Sequence, residues 1–236
     1  MRTAVRKRYR EVIDFEQYES RIRKLLDTHI SADAVEVVTK PVNIFDTTAF
    51  NEAVEEQKSP SSKADLIASQ TKRTIVERME EDPVFYTQIS KLIDDAIAEH
   101  RAKRLSDNDF LKRIREAAEQ MRRPQHDDVP DEVRPDDNAV AIFRVLGNSM
   151  TNISGPHDGN IRPVLASAAM ELVAIVRDLK VVNWTENADV QNAMRNRMDD
   201  YFFDVIRDEH GLQLGPDQID GIVDSVLKVA RARMAA

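Results

Sequence analysis

Apolar residues recur along most of this 236-residue chain at the spacing of three and four positions that marks one face of a helix. The clearest stripe begins at Ala64 and continues through Ile67, Thr71 and Ile75 to Met79. The same periodicity predicts helices at residues 14–28, 47–57, 63–81, 83–103, 107–121, 138–150, 162–180, 185–209 and 216–234.

Capping residues place the starts of several of these helices. Asp46 precedes one predicted helix, and Asp82 precedes another in which Pro83 takes the first helical position, where a missing N–H costs nothing. Ser106, with Asp109 three residues later, approximates a capping box. The sequence therefore predicts helix starts directly after Asp46, Asp82 and Ser106.

Residues 30–46 are the stretch whose structure the pattern leaves open. Val35, Val37 and Val38 are compatible with a short strand, but a short helix that ends before Pro41 fits equally well. Elsewhere the composition favours helices, because the chain has only six glycines and is rich in Ala, Glu, Lys, Arg and Leu. We therefore predict an all-α fold.

A proline-rich, acidic segment divides the chain. The stretch PQHDDVPDEVRPDD contains three prolines and six acidic residues, which is typical of a linker. We predict two helical subdomains joined by this linker. The predicted divisions are a basic N-terminal segment at 1–13, a helical domain at 14–123, the linker at 124–136 and a C-terminal acidic helical bundle at 137–236.

Charge is distributed unevenly between the two halves. Residues 1–123 contain 23 Lys and Arg against 23 Asp and Glu, whereas residues 124–236 contain 11 against 19, which is the whole net charge of −8. An acidic surface is repelled by phosphate backbones, so the second half suits protein docking better than nucleic-acid binding. The chain has no cysteine and no apolar run near the roughly 18 residues of a membrane helix, so we expect a cytoplasmic protein that does not enter membranes.

The sequence carries none of the common catalytic or cofactor-binding motifs. Its six glycines form neither a P-loop nor a GxGxxG turn, and no two of its five histidines have metal-ligand spacing. We therefore expect that the chain is not an enzyme on its own and has no catalytic residue, cofactor or metal. An acidic ladder at Asp200, Asp204 and Asp208 could bind a divalent ion, but a solvated helix face is the simpler interpretation.

Two groups of residues could contact other macromolecules. Basic side chains could bind DNA phosphates, although the N-terminal ones could equally belong to a solvated chain end. The single tryptophan could anchor an interface or plug the space beneath the next helix. The candidate DNA contacts are Arg2, Arg6, Lys7, Arg8, Arg10, Lys72 and Arg73. The candidate partner contacts are Trp184, Phe203, Asp200, Asp204 and Asp208.

Four segments carry a family resemblance. They are IDFEQYESRIRKLLDTHI at 13–30, ISADAVEVVTKPVNIFD at 30–46, KADLIASQTKRTIVERMEEDPVFY at 63–86 and WTENADVQNAMRNRMDDYFFD at 184–204. They are similar to the C-terminal region of the restriction subunit of type I restriction–modification enzymes, and their order extends the resemblance to about residue 230. The DPVFY segment and the WxxNxDVQN pattern are the most specific, and neither is a catalytic motif.

In that family the restriction subunit is a large motor. A nuclease domain and two helicase-like domains, which hydrolyse ATP and pull DNA, precede a helical region. The resemblance implies that this chain corresponds to the helical region, as part of a longer chain or as the product of a split or truncated gene. It also implies a non-catalytic module that docks the motor onto the methyltransferase core.

The implied partners are the modification and specificity subunits of that core, the motor domains of the same subunit, and double-stranded DNA. The residues alone leave one alternative open. In that alternative the chain is a free-standing helical DNA-binding protein that uses its basic N-terminal half.

Overall fold

A computed structural model describes residues 42–123, 126–150 and 161–235 of the chain. The predicted helix at 14–28 lies outside these ranges, as do residues 1–13 and residues 30–41 of the stretch left open between helix and strand.

Within the described ranges the chain forms eight α-helices and no strand, which confirms the predicted all-α fold. A short 3-10 helix at Trp184–Glu186 precedes the seventh helix, and a π-helix at Phe202–Glu209 continues it. The α-helices are α1 (Thr47–Glu55), α2 (Pro60–Arg78), α3 (Pro83–Arg101), α4 (Asp107–Arg122), α5 (Asp137–Ser149), α6 (Arg162–Leu179), α7 (Ala188–Tyr201) and α8 (Pro216–Arg233).

The predicted capping residues are in place. The side chains of Asp46, Asp82 and Ser106 each accept a hydrogen bond from the backbone N–H three residues later, at 3.1, 3.1 and 3.2 Å. The predicted start of α2 at residue 63 was wrong by about one turn. Ser59 caps that helix and Pro60 takes its first position, so the segment that looked like a break is the helix start.

Helices α1–α4 enclose the first of two hydrophobic cores. Helix α4 packs against both α2 and α3, and its inner face buries Phe110 and Ile114. These side chains join Ile67 and Ile75 of α2 and Ile93 of α3 in one cluster, each at most 2% exposed. The apolar faces of these four helices thus contribute most of their buried residues to a common core.

Helices α5–α8 enclose the second core. Ile142 of α5, Leu172 of α6 and Met198 of α7 are fully buried in it, together with Trp184 and Phe202. The predicted single helix at 185–209 is instead a 3-10 turn, an α-helix and a π-helix in succession. Apolar periodicity does not distinguish these helix types over so few residues.

The described part of the predicted linker, residues 126–136, packs onto the second core. Val129 and Val133 are 1% and 0% exposed and belong to that core, and Val84 of α3 packs against it from the first half. Helices α1–α8 belong to one compact unit. The division into two domains at 124–136 stays a prediction. None of the helices in the described ranges combines the length and the apolar character needed to cross a bilayer.

Candidate functional site

Arg144 joins the two cores through a buried ion pair. It lies on α5 within the otherwise apolar run 139–146, and only 7% of its surface is exposed. Its Nη1 donates to Asp82 Oδ2 at 2.6 Å, while Nε and Nη2 donate to the two carboxylate oxygens of Asp128 at 2.9 Å each. The guanidinium also lies 5.1 Å from the ring centroid of Phe85. Because a buried charge must be paired, these bonds explain how an arginine is accommodated in the interior.

The pKa values of the two carboxylates that pair with Arg144 are shifted in opposite directions. Burial raises the pKa of Asp82, and the charge of Arg144 only partly offsets this effect. Hydrogen bonds from Arg144 lower the pKa of Asp128, which is more exposed. Asp82 also caps α3, so one carboxylate both starts a helix of the first core and pairs with a helix of the second.

Arg144 also lines a cleft of about 340 Å³ where the ends of several helices meet. Arg78 comes from the end of α2, Arg122 from the end of α4 and Arg233 from the end of α8. We call this the arginine cleft. The charged residues that line it are Arg78, Arg122, Arg144 and Arg233, with Glu81, Asp82 and Asp137.

Carboxylates are concentrated on a second site, where α7 packs against α8. Partial burial raises the pKa of Asp199, and the charges of Asp220, Asp200 and Asp224 raise it further. The buried Oδ1 of Asp199 has no hydrogen-bond partner in the described part of the chain. Arg195 pairs with Asp224 and opposes this negative charge only in part. We call these four aspartates the acidic α7–α8 surface.

Trp184 and Phe203, two of the predicted partner contacts, lie against the second core. Trp184 is 1% exposed, and its Nε1 donates to the backbone oxygen of Met234 at 3.0 Å, so it fills the space beneath the start of α7. This is the second of the two roles that the sequence allows for it. Phe203 is half-buried, and the guanidinium of Arg207 lies 4.6 Å from its ring centroid.

The three aspartates of the predicted acidic ladder are all exposed. Asp208 accepts a hydrogen bond from Arg207 Nε at 2.8 Å, and this bond lowers its pKa. Asp200 belongs to the acidic α7–α8 surface, and Asp204 lies on the π-helix. Within the described ranges, no group of three or more acidic, histidine or cysteine side chains is arranged to hold a metal ion.

The predicted DNA contacts on α2 are engaged with carboxylates. Lys72 pairs with Asp94 of α3, and Arg73 Nε lies 2.9 Å from Glu77 Oε1. Both ion pairs lie at the surface, where such pairs are weak, and a role of either residue in DNA binding stays a prediction. The other candidates, Arg2, Arg6, Lys7, Arg8 and Arg10, lie outside the described residues.

Sequence reasoning missed Arg122, Arg144 and Arg233 of the cleft, whereas Arg78 belongs to the basic face with Lys72 and Arg73 that the DNA-binding alternative uses. Arg144 did carry a signal, because it is the one charged residue in the apolar run 139–146 and such a residue needs a partner. Arg122 carries no comparable signal, since its Nε donates to the backbone oxygen of Ile44, 78 positions away. Contacts of that kind depend on how the helices are arranged in space.

The fold and these sites define a class of protein: an all-α bundle whose charged features, among the described residues, are a buried ion-pair link, an arginine-lined cleft and an acidic surface. The chain belongs to the family described as type I restriction enzyme HindI endonuclease subunit-like, C-terminal, whose family model matches residues 1–234. The family resemblance of the four segments is thereby confirmed. No curated protein and no solved structure matches the chain.

Proposed function

We propose that this chain docks the DNA-translocating and DNA-cleaving motor of a type I restriction endonuclease subunit onto its methyltransferase core of modification and specificity subunits. Membership of the C-terminal endonuclease-subunit family supports a role within a type I restriction system. The acidic α7–α8 surface is the observation that carries the docking role. In this proposal the chain acts in the cytoplasm, beside the motor domains of its own subunit, and contributes no catalytic residue or cofactor.

The electrostatics of the acidic α7–α8 surface favour a basic protein partner. Asp199 keeps a buried oxygen without a hydrogen-bond partner among the described residues, and the neighbouring aspartates add like charge. Such an arrangement is unfavourable in isolation and is relieved when lysines or arginines of another protein approach it. The partner surface is therefore expected to be basic.

DNA is the less suitable occupant of the same surface, because its phosphates would be repelled by the carboxylates. The alternative of a free-standing DNA-binding protein relied on basic residues that include Lys72 and Arg73. Both of these side chains already pair with carboxylates. At the acidic α7–α8 surface, the charge therefore favours a protein partner over DNA.

The test is retention of this chain by reconstituted methyltransferase core at low salt, with and without duplex DNA. The informative variant is Asp200→Lys with Asp220→Lys, since both residues are exposed on the acidic α7–α8 surface. Asp95→Lys with Glu116→Lys, on exposed positions of α3 and α4, makes the same change in net charge elsewhere. We expect the first pair to weaken retention by about tenfold or more, and the control pair to behave like the unmodified chain.

Retention without DNA, lost in the α7–α8 variant and kept in the control, supports docking. Failure of the unmodified chain to bind the core contradicts it. Steeply salt-dependent binding to duplex DNA alone would transfer support to the DNA-binding alternative.

A further inference from the structure

The arginine cleft contains guanidinium donors that make no short hydrogen bond to any described residue. Arg122 is held in place, because its Nε donates to the backbone oxygen of Ile44 at 2.6 Å and its guanidinium lies 4.4 Å from the ring centroid of Phe50. Its Nη1 stands 3.6 Å from Glu119, beyond the length of a good hydrogen bond. Its Nη2 is buried and has no hydrogen-bond partner in the described part of the chain. A buried donor of this kind marks a position where an acceptor would be stabilised.

Arg78 offers a second guanidinium with donors to spare. It stacks over Phe45, 4.5 Å from the ring centroid, and its Nη1 is 3.7 Å from the carboxylate of Glu81. Tyr86 lines the cleft beside it. Burial raises the pKa of the Tyr86 phenol, and a hydrogen bond from Arg78 opposes this effect, so one donor of Arg78 is directed at the phenol oxygen.

Arg233 supplies the third guanidinium. Its Nε donates to Asn138 Oδ1 at 3.1 Å, and its Nη1 makes only a long bond of 3.5 Å to the backbone oxygen of Glu81. Arg144 differs from the other three, because both carboxylates around it are within hydrogen-bond distance and engage its Nε, Nη1 and Nη2. Arg144 therefore has a structural role in the cleft and is not among the proposed ligand-binding residues.

The carboxylates that line the cleft do not fill it. Asp82 is already engaged by Arg144 and by the N-terminus of α3, and Asp137 lies 3.6 Å from the His126 ring. Glu81 stays beyond hydrogen-bond length from Arg78. Among the described residues, no carboxylate makes a short hydrogen bond to Arg78, Arg122 or Arg233, so an anion that enters the cleft can accept from all three.

We propose that the arginine cleft binds a phosphate group through Arg78, Arg122 and Arg233. Planar guanidinium groups suit the oxygens of phosphate, and a tetrahedral anion can accept from three of them at once, whereas a planar carboxylate has fewer oxygens to offer. The volume of about 340 Å³ leaves room for phosphate beside the aromatic side chains. The phosphate belongs to a free anion or nucleotide, or to a DNA backbone.

The test is isothermal titration calorimetry of the chain with inorganic phosphate, at constant ionic strength in chloride buffer. Arg122 also anchors residues near α1, so the informative variants are Arg78→Gln and Arg233→Gln, each checked for an unchanged melting curve. Arg113→Gln is the matched control, since Arg113 is exposed on α4, pairs with Glu99 at 2.8 Å and lies outside the cleft. We expect saturable binding whose Kd rises about tenfold or more in both cleft variants, equivalent to about 1.4 kcal/mol, and stays unchanged in the control.

The proposal is overturned if the unmodified chain shows no saturable binding, if the cleft variants bind as it does, or if Arg113→Gln weakens binding equally. A second arm, fluorescence anisotropy with a short DNA duplex, separates the sources of the phosphate. Duplex binding that inorganic phosphate competes away and Arg78→Gln weakens assigns the site to a DNA backbone. Loss of phosphate binding in Arg78→Gln without any effect on duplex binding assigns it to a free phosphate or nucleotide.

Discussion

At the scale of single residues, the buried ion pair of Arg144 gives a prediction about stability. Replacing it with methionine keeps most of the side-chain volume but leaves the carboxylate of Asp82 buried without its partner. Because breaking a buried ion pair from one side is strongly destabilising, we expect Arg144→Met to lower the free energy of unfolding by about 3–5 kcal/mol. Urea denaturation followed by circular dichroism measures this loss.

Two further variants control this prediction. Arg113→Met, at an exposed arginine, should change stability by no more than about 0.5 kcal/mol. Asp82→Asn combined with Arg144→Met should be less damaging than Arg144→Met alone, because asparagine still caps α3 and leaves no buried charge. Equal losses in the single and double variants would show that packing, and not the uncompensated charge, explains the effect.

At Asp199, unlike at Arg144, we predict that removing the charge stabilises the fold. Its pKa is raised in the folded state, so the folded state prefers the protonated acid. The stability linked to this group is complete below the ordinary aspartate pKa of about 3.9 and is lost as pH rises through the raised value. Asp199→Asn should therefore melt at a higher temperature than the unmodified chain at pH 7, with the difference vanishing towards about pH 3.

Melting curves at several pH values test this prediction. Asp95→Asn, at an exposed position of α3, is the control and should leave the pH profile of the melting temperature unchanged. A higher melting temperature for Asp199→Asn that persists undiminished at low pH would mean that the substitution acts by some route other than removal of the charge.

At the scale of elements, the residue at which the chain leaves α3 has a strained, left-handed backbone conformation. Lys103 has φ of 55°, and the N–H groups of Lys103 and Arg104 bond back to the carbonyls of His100 and Glu99 at 2.9 Å each. This is a helix C-terminus at which glycine is preferred, since a Cβ is strained in the left-handed region. We expect Lys103→Gly to stabilise the chain by about 0.5–1 kcal/mol in urea denaturation, because relief of the left-handed strain exceeds the entropic cost of glycine.

The same substitution inside a helix provides the contrast. Lys112 is exposed in the interior of α4, where glycine costs helix propensity. Lys112→Gly should therefore destabilise by about 1 kcal/mol. If both lysine-to-glycine changes destabilise, relief of the left-handed backbone conformation does not decide the stability at Lys103.

The elements were predictable from sequence where their determinants are local. Asp46, Asp82 and Ser106 bond to N–H groups only three residues away, so the local sequence is enough to predict each helix cap. The π-helix at Phe202–Glu209 could not be predicted, because its apolar spacing also fits an α-helix. The arginine cleft could not be predicted either, since residues from α2, α4, α5 and α8 converge on it only in the folded chain.

At the scale of the whole molecule, the composition of the segment between the two cores indicates a linker, whereas its packing shows that part of it belongs to the second core. Prolines and acidic residues mark 124–136 as a linker, and its exposed aspartates fit that description. The valines between them do not, because Val129 and Val133 are buried in the second core and Asp128 bonds to Arg144. Two apolar residues in a polar stretch are too weak a pattern to reveal burial from sequence.

This difference leads to a prediction about where the C-terminal bundle begins. A fragment of residues 126–236 retains Val129, Val133 and the Asp128–Arg144 bonds, whereas a fragment of residues 137–236 loses them all. Because each fully buried valine contributes about 1.5 kcal/mol or more, we expect the shorter fragment to be less stable by about 3 kcal/mol or more. Thermal and urea unfolding of the two purified fragments measure the difference.

The longer fragment with Val129→Ala and Val133→Ala should fall between the two, since it keeps the ion pair but loses the buried methyl groups. Val181→Ala in the same fragment should have little effect, because Val181 is 53% exposed. If both fragments unfold with the same free energy, residues 126–136 contribute nothing to the second core and the boundary belongs at residue 137. A large difference means that the bundle includes the acidic segment, so that the docking module would extend back to the residues that hold Arg144.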